Sequence, residues 1–285
     1  MSILKGALLG LFQGLAEFLP ISSSGHLNLL QALFGLNLDN QLLFNILLHV
    51  GTLIAVMVMF WKDWIDMLLH PIKNHTLALL FVASLPALAA KILFDKPLDY
   101  LETNIQFLGV FFLVTGLMLV LTQRISRRNQ AKGVEKDKVG FLEALVMGCL
   151  QAVGMLPGIS RSGSTIFGGV CSRLNRETAA KFSFMMSAPA IVGSLLVEGK
   201  DALEAGISFG NDLPAIIVGM VVAAITGYLS IRFFMKLISK FSLNGFALYV
   251  TVLGIVVIIL VATGVIGGDT APQAAAALLS PIPRG

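Results

Sequence analysis

Between Gln13 and His26 the chain reads QGLAEFLPISSSGH, which sets a carboxylate, three consecutive hydroxyls, a glycine and a histidine inside long apolar sequence. In hydrocarbon each of these groups is costly unless it is satisfied or used. Glu17 has no cation in its own segment. It reads as a protonated carboxyl bonded across helices, a general base, or a ligand for a divalent cation bridging phosphate oxygens. Gln13 lies one turn earlier on the same helix face and can orient Glu17 or the ligand. Hydroxyls at a turn usually satisfy backbone, the plain reading of Ser22, Ser23 and Ser24. His26 either moves a proton or is a hydrogen-bonded structural residue. His49 stands isolated on a span and reads as packing.

A second stretch, Gln151 to Thr165 (QAVGMLPGISRSGST), copies the first at a constant offset with no gap. Gly10, Gln13, Ile21, Ser22, Ser24 and Gly25 fall on Gly148, Gln151, Ile159, Ser160, Ser162 and Gly163, whereas Glu17 falls on Met155, Ser23 on Arg161 and His26 on Ser164. Shared positions should build a common backbone, and unshared positions should carry chemistry. On that logic Ser23 is the candidate nucleophile, Glu17, His26 and Arg161 complete the catalytic set, and Ser22 and Ser24 shape the substrate site. Ser160, Ser162, Gly163, Ser164 and Thr165 form a hydroxyl-rich turn opening a helix, which presents N–H and O–H groups to an anion. Arg161 adds a planar cation suited to phosphate oxygens. The alternative, a capped turn with Arg161 snorkelling to the interface, leaves an arginine at depth without an anionic partner, which is expensive.

The elements that must position these groups are membrane helices. The 285 residues are 56% hydrophobic and 13% charged, and the mean hydropathy is +0.86, against about 25% charged residues in soluble domains. Period-2 alternation is too weak for an outer-membrane barrel. Nucleic acid is excluded as a partner despite a pI near 9.1, because the basic residues lie in short loops between apolar segments. Cys149 and Cys171 have no metal-type spacing, and no disulfide is expected. Ile3 to Phe18 reaches only about 24 Å as a helix, short of a core of about 30 Å, and Leu19-Pro20 then breaks it. We therefore expect an all-α polytopic membrane protein with six spanning helices and two re-entrant helical hairpins. Residues 1–122 form a first repeat, with a hairpin and spans near Leu42–Phe60, Thr76–Phe94 and Ile105–Thr122. Residues 123–138 form a basic linker. Residues 139–268 form a second, inverted repeat, with a short pair (Val139–Leu156 and Ser162–Leu174) and spans near Thr178–Val197, Leu213–Ile231 and Gly245–Gly264. Residues 269–285 form a mobile Ala/Pro-rich tail. An odd number of spans per half forces the inversion. Arg and Lys crowd the loops around 61–75, 123–138, 172–181 and 232–243, which makes that side cytoplasmic. The two polar tips should meet inside the membrane.

EFLPISSSGH and LPGISRSGST resemble the two signature motifs of the undecaprenyl-pyrophosphate phosphatase family linked to bacitracin resistance, and the resemblance covers the chain apart from the tail. It implies a bacterial inner-membrane hydrolase that converts the polyprenyl pyrophosphate carrier to the monophosphate for peptidoglycan precursor recycling, with the active site opening to the periplasmic side. The family's motif Glu, Ser, His and Arg fall on Glu17, Ser23, His26 and Arg161. Gln13 departs from the commoner two-glutamate form, leaving Glu17 as the main acidic ligand or base for a Mg²⁺ or Ca²⁺ cofactor. The lipid and the bilayer are the expected partners, and a homodimer is compatible with the sequence. The rival class is a polyprenyl-phosphate flippase or transporter, which inverted repeats would fit equally well; the Glu17, Ser23 and His26 set favours the enzyme.

Overall fold

The computed structural model describes residues 2–33, 41–71, 73–204 and 212–267, so the expected tail at 269–285 lies outside the described residues. Apolar runs with helical spacing become twelve α-helices, and no strand occurs among the described residues. They are α1 (Ile3–Phe18), α2 (Ser23–Leu33), α3 (Gln41–Met59), α4 (Trp61–Leu69), α5 (Thr76–Leu93), α6 (Asp95–Thr103), α7 (Leu108–Ala131), α8 (Phe141–Val153), α9 (Arg161–Cys171), α10 (Arg176–Glu204), α11 (Leu213–Ile238) and α12 (Asn244–Ala262).

Among the described residues, five helical segments are long and apolar enough to cross a membrane: Thr76–Leu93, Ile105–Ala131, Arg176–Val197, Leu213–Ile238 and Asn244–Ala262. The span expected at Leu42–Phe60 is α3, and it makes a sixth only when joined to α4 across a 75° bend. The break has a local cause: Phe60 leaves helical geometry, and the amphipathic WKDWIDMLL segment follows. Large apolar side chains such as Phe81, Leu88, Leu117, Ile225 and Leu248 point outward, as a lipid-facing surface requires.

One boundary differs from expectation. The spacer was expected to begin at Gln123, but α7 continues to Ala131. Polar residues hold the extension in place: Gln123 and Ser126 are buried, and Asn129 Nδ2 donates to the Val170 carbonyl at 3.0 Å. The basic loops are knit into one end of the molecule. Lys181 pairs with Asp63 at 2.6 Å, Lys136 N donates to the Arg173 carbonyl at 2.8 Å, and Arg176 Nη1 donates to the Phe241 carbonyl at 2.9 Å.

The short helices are carried by the long ones. α1 packs along α11, α8 along α5, and α9 sits between α7 and α10. A methyl group at Gly10 would run into the Gly219 backbone, and one at Gly148 into that of Ala83. Small residues allow this close approach, which replaces the hydrophobic drive that lipid removes. α1 and α8 thereby bring the residues that end them to one internal location.

Candidate active site

The two polar turns, 19–22 and 154–160, meet. Gly158 N donates to Ser22 Oγ at 3.1 Å, and Ser162 Oγ donates to the Leu19 carbonyl at 3.1 Å. Thr115, on α7, closes the joint: its hydroxyl donates to the Gly158 carbonyl at 2.8 Å and accepts from Ser160 N at 3.0 Å. Gly158 has φ +93°, a conformation side chains resist, and added bulk would strike Leu108 and Phe111.

Shared positions build matching hydroxyl caps but not one common backbone, since Ser22 has φ +69° and Ser160 has φ −72°. Ser22 Oγ accepts from Gly25 N at 3.3 Å, and Ser160 Oγ accepts from Gly163 N at 3.1 Å. Each capping hydroxyl also contacts the serine two residues on, Ser24 at 3.4 Å and Ser162 at 3.2 Å. These caps open α2 and α9, whose N-terminal, partly positive ends both lie at the joint.

Three of the four unshared residues come together. Glu17, 5% exposed at its side chain, is the hub. Its Oε1 accepts from Arg161 Nη2 at 2.6 Å. Its Oε2 accepts from Ser23 Oγ at 2.5 Å and from Gln13 Nε2 at 3.0 Å. Arg161 Nη1 reaches the Ser183 carbonyl at 3.4 Å. The cluster therefore holds a hydroxyl already donating to a carboxylate, beside a guanidinium that is 17% exposed. Such a set can deprotonate an alcohol and hold an anion.

His26, the fourth, is elsewhere. Its Nδ1 bonds the Ser22 carbonyl at 2.7 Å and its Nε2 bonds Tyr249 Oη at 2.8 Å. Both nitrogens are occupied, and neither is bonded to Ser23. Side chains on a helix lean toward its N-terminus, which carries this ring back to Ser22.

The histidine at the hub is His49. Its Nδ1 bonds the Asn45 carbonyl at 2.8 Å, and its Nε2 stands 3.6 Å from Glu17 Oε2 with the side chain 30% exposed. The reading of His49 as packing missed this; the expense of a lone ionisable group on an apolar span was the available signal.

Most of the expected anion-binding hydroxyls turn inward. Ser164 Oγ and Thr165 Oγ1 donate to the Arg161 carbonyl at 3.0 and 2.8 Å, and Thr165 Oγ1 also contacts Ser183 Oγ at 2.6 Å. With Ser160 and Ser162 they build the turn, while Ser23, Ser24 and Arg161 at the tips and His49 on α3 are partly exposed. Gln151, the copy of Gln13, is 2% exposed with neither amide atom hydrogen-bonded; its partner position carries Met155 instead of a carboxylate.

Among the described residues no group of three or more His, Cys, Asp or Glu could hold a metal ion. Gln13 Oε1 is nevertheless buried without a hydrogen-bond partner, one helical turn from the Glu17 carboxylate. An unsatisfied carbonyl oxygen beside a carboxylate suits a hard cation that keeps water and phosphate oxygens in its shell.

A family model described as "Bacitracin resistance protein BacA" matches residues 6–256. A Halothermothrix orenii protein named undecaprenyl-diphosphatase is 40% identical over 261 residues, covering 91% of this chain and 98% of that protein. Proteins of the same name are 38% identical over 283 residues in Methanosphaera stadtmanae, covering 91% and 98%, and 39% identical over 265 residues in Carboxydothermus hydrogenoformans, covering 93% and 99%.

Proposed function

Because this chain belongs to the bacitracin resistance protein BacA family, and relatives are named undecaprenyl-diphosphatase, we propose that it is a membrane-embedded phosphatase that hydrolyses undecaprenyl pyrophosphate to the monophosphate and inorganic phosphate. The observation that carries the reading is Ser23 donating to Glu17 at 2.5 Å with Arg161 on the other carboxylate oxygen at 2.6 Å.

The lipid's pyrophosphate enters beside Arg161, which exchanges part of its contact with Glu17 for phosphate oxygens. The helix N-termini at Ser23 and Arg161 add favourable potential. Ser23 Oγ attacks the terminal phosphorus while its proton passes to Glu17, and the bond to the bridging oxygen breaks, releasing undecaprenyl phosphate. Water then frees inorganic phosphate from Ser23. Arg161 stabilises charge on the equatorial oxygens during transfer. Glu17 and Gln13 Oε1 would hold a Mg²⁺ or Ca²⁺ ion, which when bound neutralises phosphate charge. His49 walls the site beside Glu17.

In this reading the two halves are inverted repeats, residues 1–122 and 139–268, each with a re-entrant hairpin. The close gap-free copying, the matching serine caps and the packing of each short helix pair's first member on the other half's span support it. The end rich in Lys and Arg faces the cytoplasm, and the catalytic cluster opens toward the periplasm of a bacterial inner membrane. A pure carrier would have no use for a hydroxyl held on a carboxylate, which favours hydrolysis over transport. Purified protein in detergent, supplied with undecaprenyl pyrophosphate and either divalent cation, should release inorganic phosphate. Protein that binds the lipid but frees no phosphate under either cation would defeat the reading.

A further inference from the structure

Ser22 is one of two residues other than glycine with positive φ among the described residues, at +69°. A side chain in that region is strained and persists only where its surroundings hold it. At Ser22 four contacts do so. Its hydroxyl accepts from Gly158 N and Gly25 N at 3.1 and 3.3 Å, and its carbonyl accepts from His26 N at 3.2 Å and faces His26 Nδ1 at 2.7 Å.

The His26 ring can satisfy all its partners in one neutral tautomer. Nδ1–H donates to the Ser22 carbonyl, and Nε2 accepts the Tyr249 hydroxyl proton at 2.8 Å. The ring stacks on Tyr249, with centroids 5.7 Å apart and planes 13° apart, and meets Phe112 edge-on at 5.4 Å. Among the described residues its ring and hydrogen-bond contacts are Tyr249, which is titratable, Phe112 and the Ser22 backbone. Tyr249 lies 46% exposed on α12, so its ring covers the otherwise buried histidine, and in apolar surroundings such a bond is hard to replace. Ser23 is the next residue after Ser22, and its hydroxyl must stay on Glu17.

We propose that His26 and Tyr249 are positioning residues: through the Ser22 carbonyl they hold the left-handed peptide that sets Ser23 on Glu17 and seats Gly158 against Ser22, and His26 passes no proton to or from the substrate. The inference rests on the reading that Ser23 and Glu17 carry the hydrolysis.

The test compares His26→Asn, His26→Leu and Tyr249→Phe in the purified full-length protein, by turnover on undecaprenyl pyrophosphate, by its pH profile, and by hydrogen exchange of peptides covering 19–27 and 156–160. An Asn amide can donate from near the Nδ1 position but does not titrate. His26→Asn should keep turnover within about tenfold of the unsubstituted protein, the scale of one altered hydrogen bond, with the same shape of pH profile and slow exchange at both tips. Tyr249→Phe should lose about tenfold for the same reason. His26→Leu should lose at least roughly 100-fold, the cost of a misplaced reacting group, with faster exchange at both tips. Turnover that follows tip protection across the three variants upholds the inference. His26→Asn as inactive as His26→Leu, with tips as protected as in the unsubstituted protein, overturns it and returns His26 to the chemistry. If the unsubstituted protein releases no phosphate, the hydrolase reading fails separately. The exchange arm still decides the tie, because unchanged tips in His26→Leu and Tyr249→Phe overturn it.

Discussion

Glu17→Gln substitutes one atom and removes the acceptor on which the cluster converges. The carboxylate accepts from Arg161 at 2.6 Å on one oxygen, and from Ser23 at 2.5 Å and Gln13 at 3.0 Å on the other. An amide has one oxygen, so its NH₂ must face either Arg161 or the Ser23 and Gln13 donors. If it faces Arg161, the guanidinium keeps only the Ser183 carbonyl contact at 3.4 Å. Hydrogen bonds to charged groups contribute about 1.5–3 kcal/mol each, and breaking a buried ion pair costs about 3–5 kcal/mol. With Arg161 17% exposed, the lower end applies, and a loss of about 3 kcal/mol in stability is expected. Turnover should fall by at least roughly 100-fold, because the Ser23 proton loses its base. Phosphate release and thermal unfolding should be measured on the same detergent-purified samples. Inorganic pyrophosphate should raise the unfolding midpoint more in the variant than in the unsubstituted protein, because it supplies the partner that Arg161 has lost. A variant that turns over within tenfold of the unsubstituted protein and is equally stable would refute the hub.

Arg161→Lys keeps the charge but loses the planar fork, and should raise the barrier by at least about 2.7 kcal/mol in a protein that still folds; near-normal phosphate release would reduce Arg161 to an anchor. Ser23→Ala should abolish most hydrolysis while leaving the unfolding midpoint nearly unchanged, whereas Ser22→Ala should lower stability more than turnover, by about 1 kcal/mol for each lost hydrogen bond. The opposite pattern in paired assays would show that the repeat comparison describes packing. A reporter fused within 132–138 should read as cytoplasmic and one within 200–211 as periplasmic; two fusions on the same side would sink the inverted arrangement.

The sequence by itself determined the class of protein and the cluster of polar groups proposed to carry its chemistry. Apolar length, helix-breaking prolines and the expense of polar groups in hydrocarbon are local properties, and they were enough to mark Glu17, Ser23 and Arg161 and to expect that the two tips meet. The gap-free copying also picked out Ser22 and Ser160 as capping serines, because a cap depends on backbone a few residues away. What local pattern could not decide was which way a side chain turns and which distant group it finds. His26 and Tyr249 are 223 residues apart in the chain, and His49 reaches Glu17 only because α3 packs against α1. From sequence alone the histidine near Ser23 looked reactive and the isolated one looked inert. The fold exchanged their positions: the lean of side chains along α2 returned His26 to the Ser22 carbonyl, and helix packing set the His49 ring beside the carboxylate. The extension of α7 to Ala131 has the same origin, with Gln123 and Ser126 buried and Asn129 bonded to the Val170 carbonyl. There tertiary contacts satisfied polar groups whose composition alone had suggested a loop.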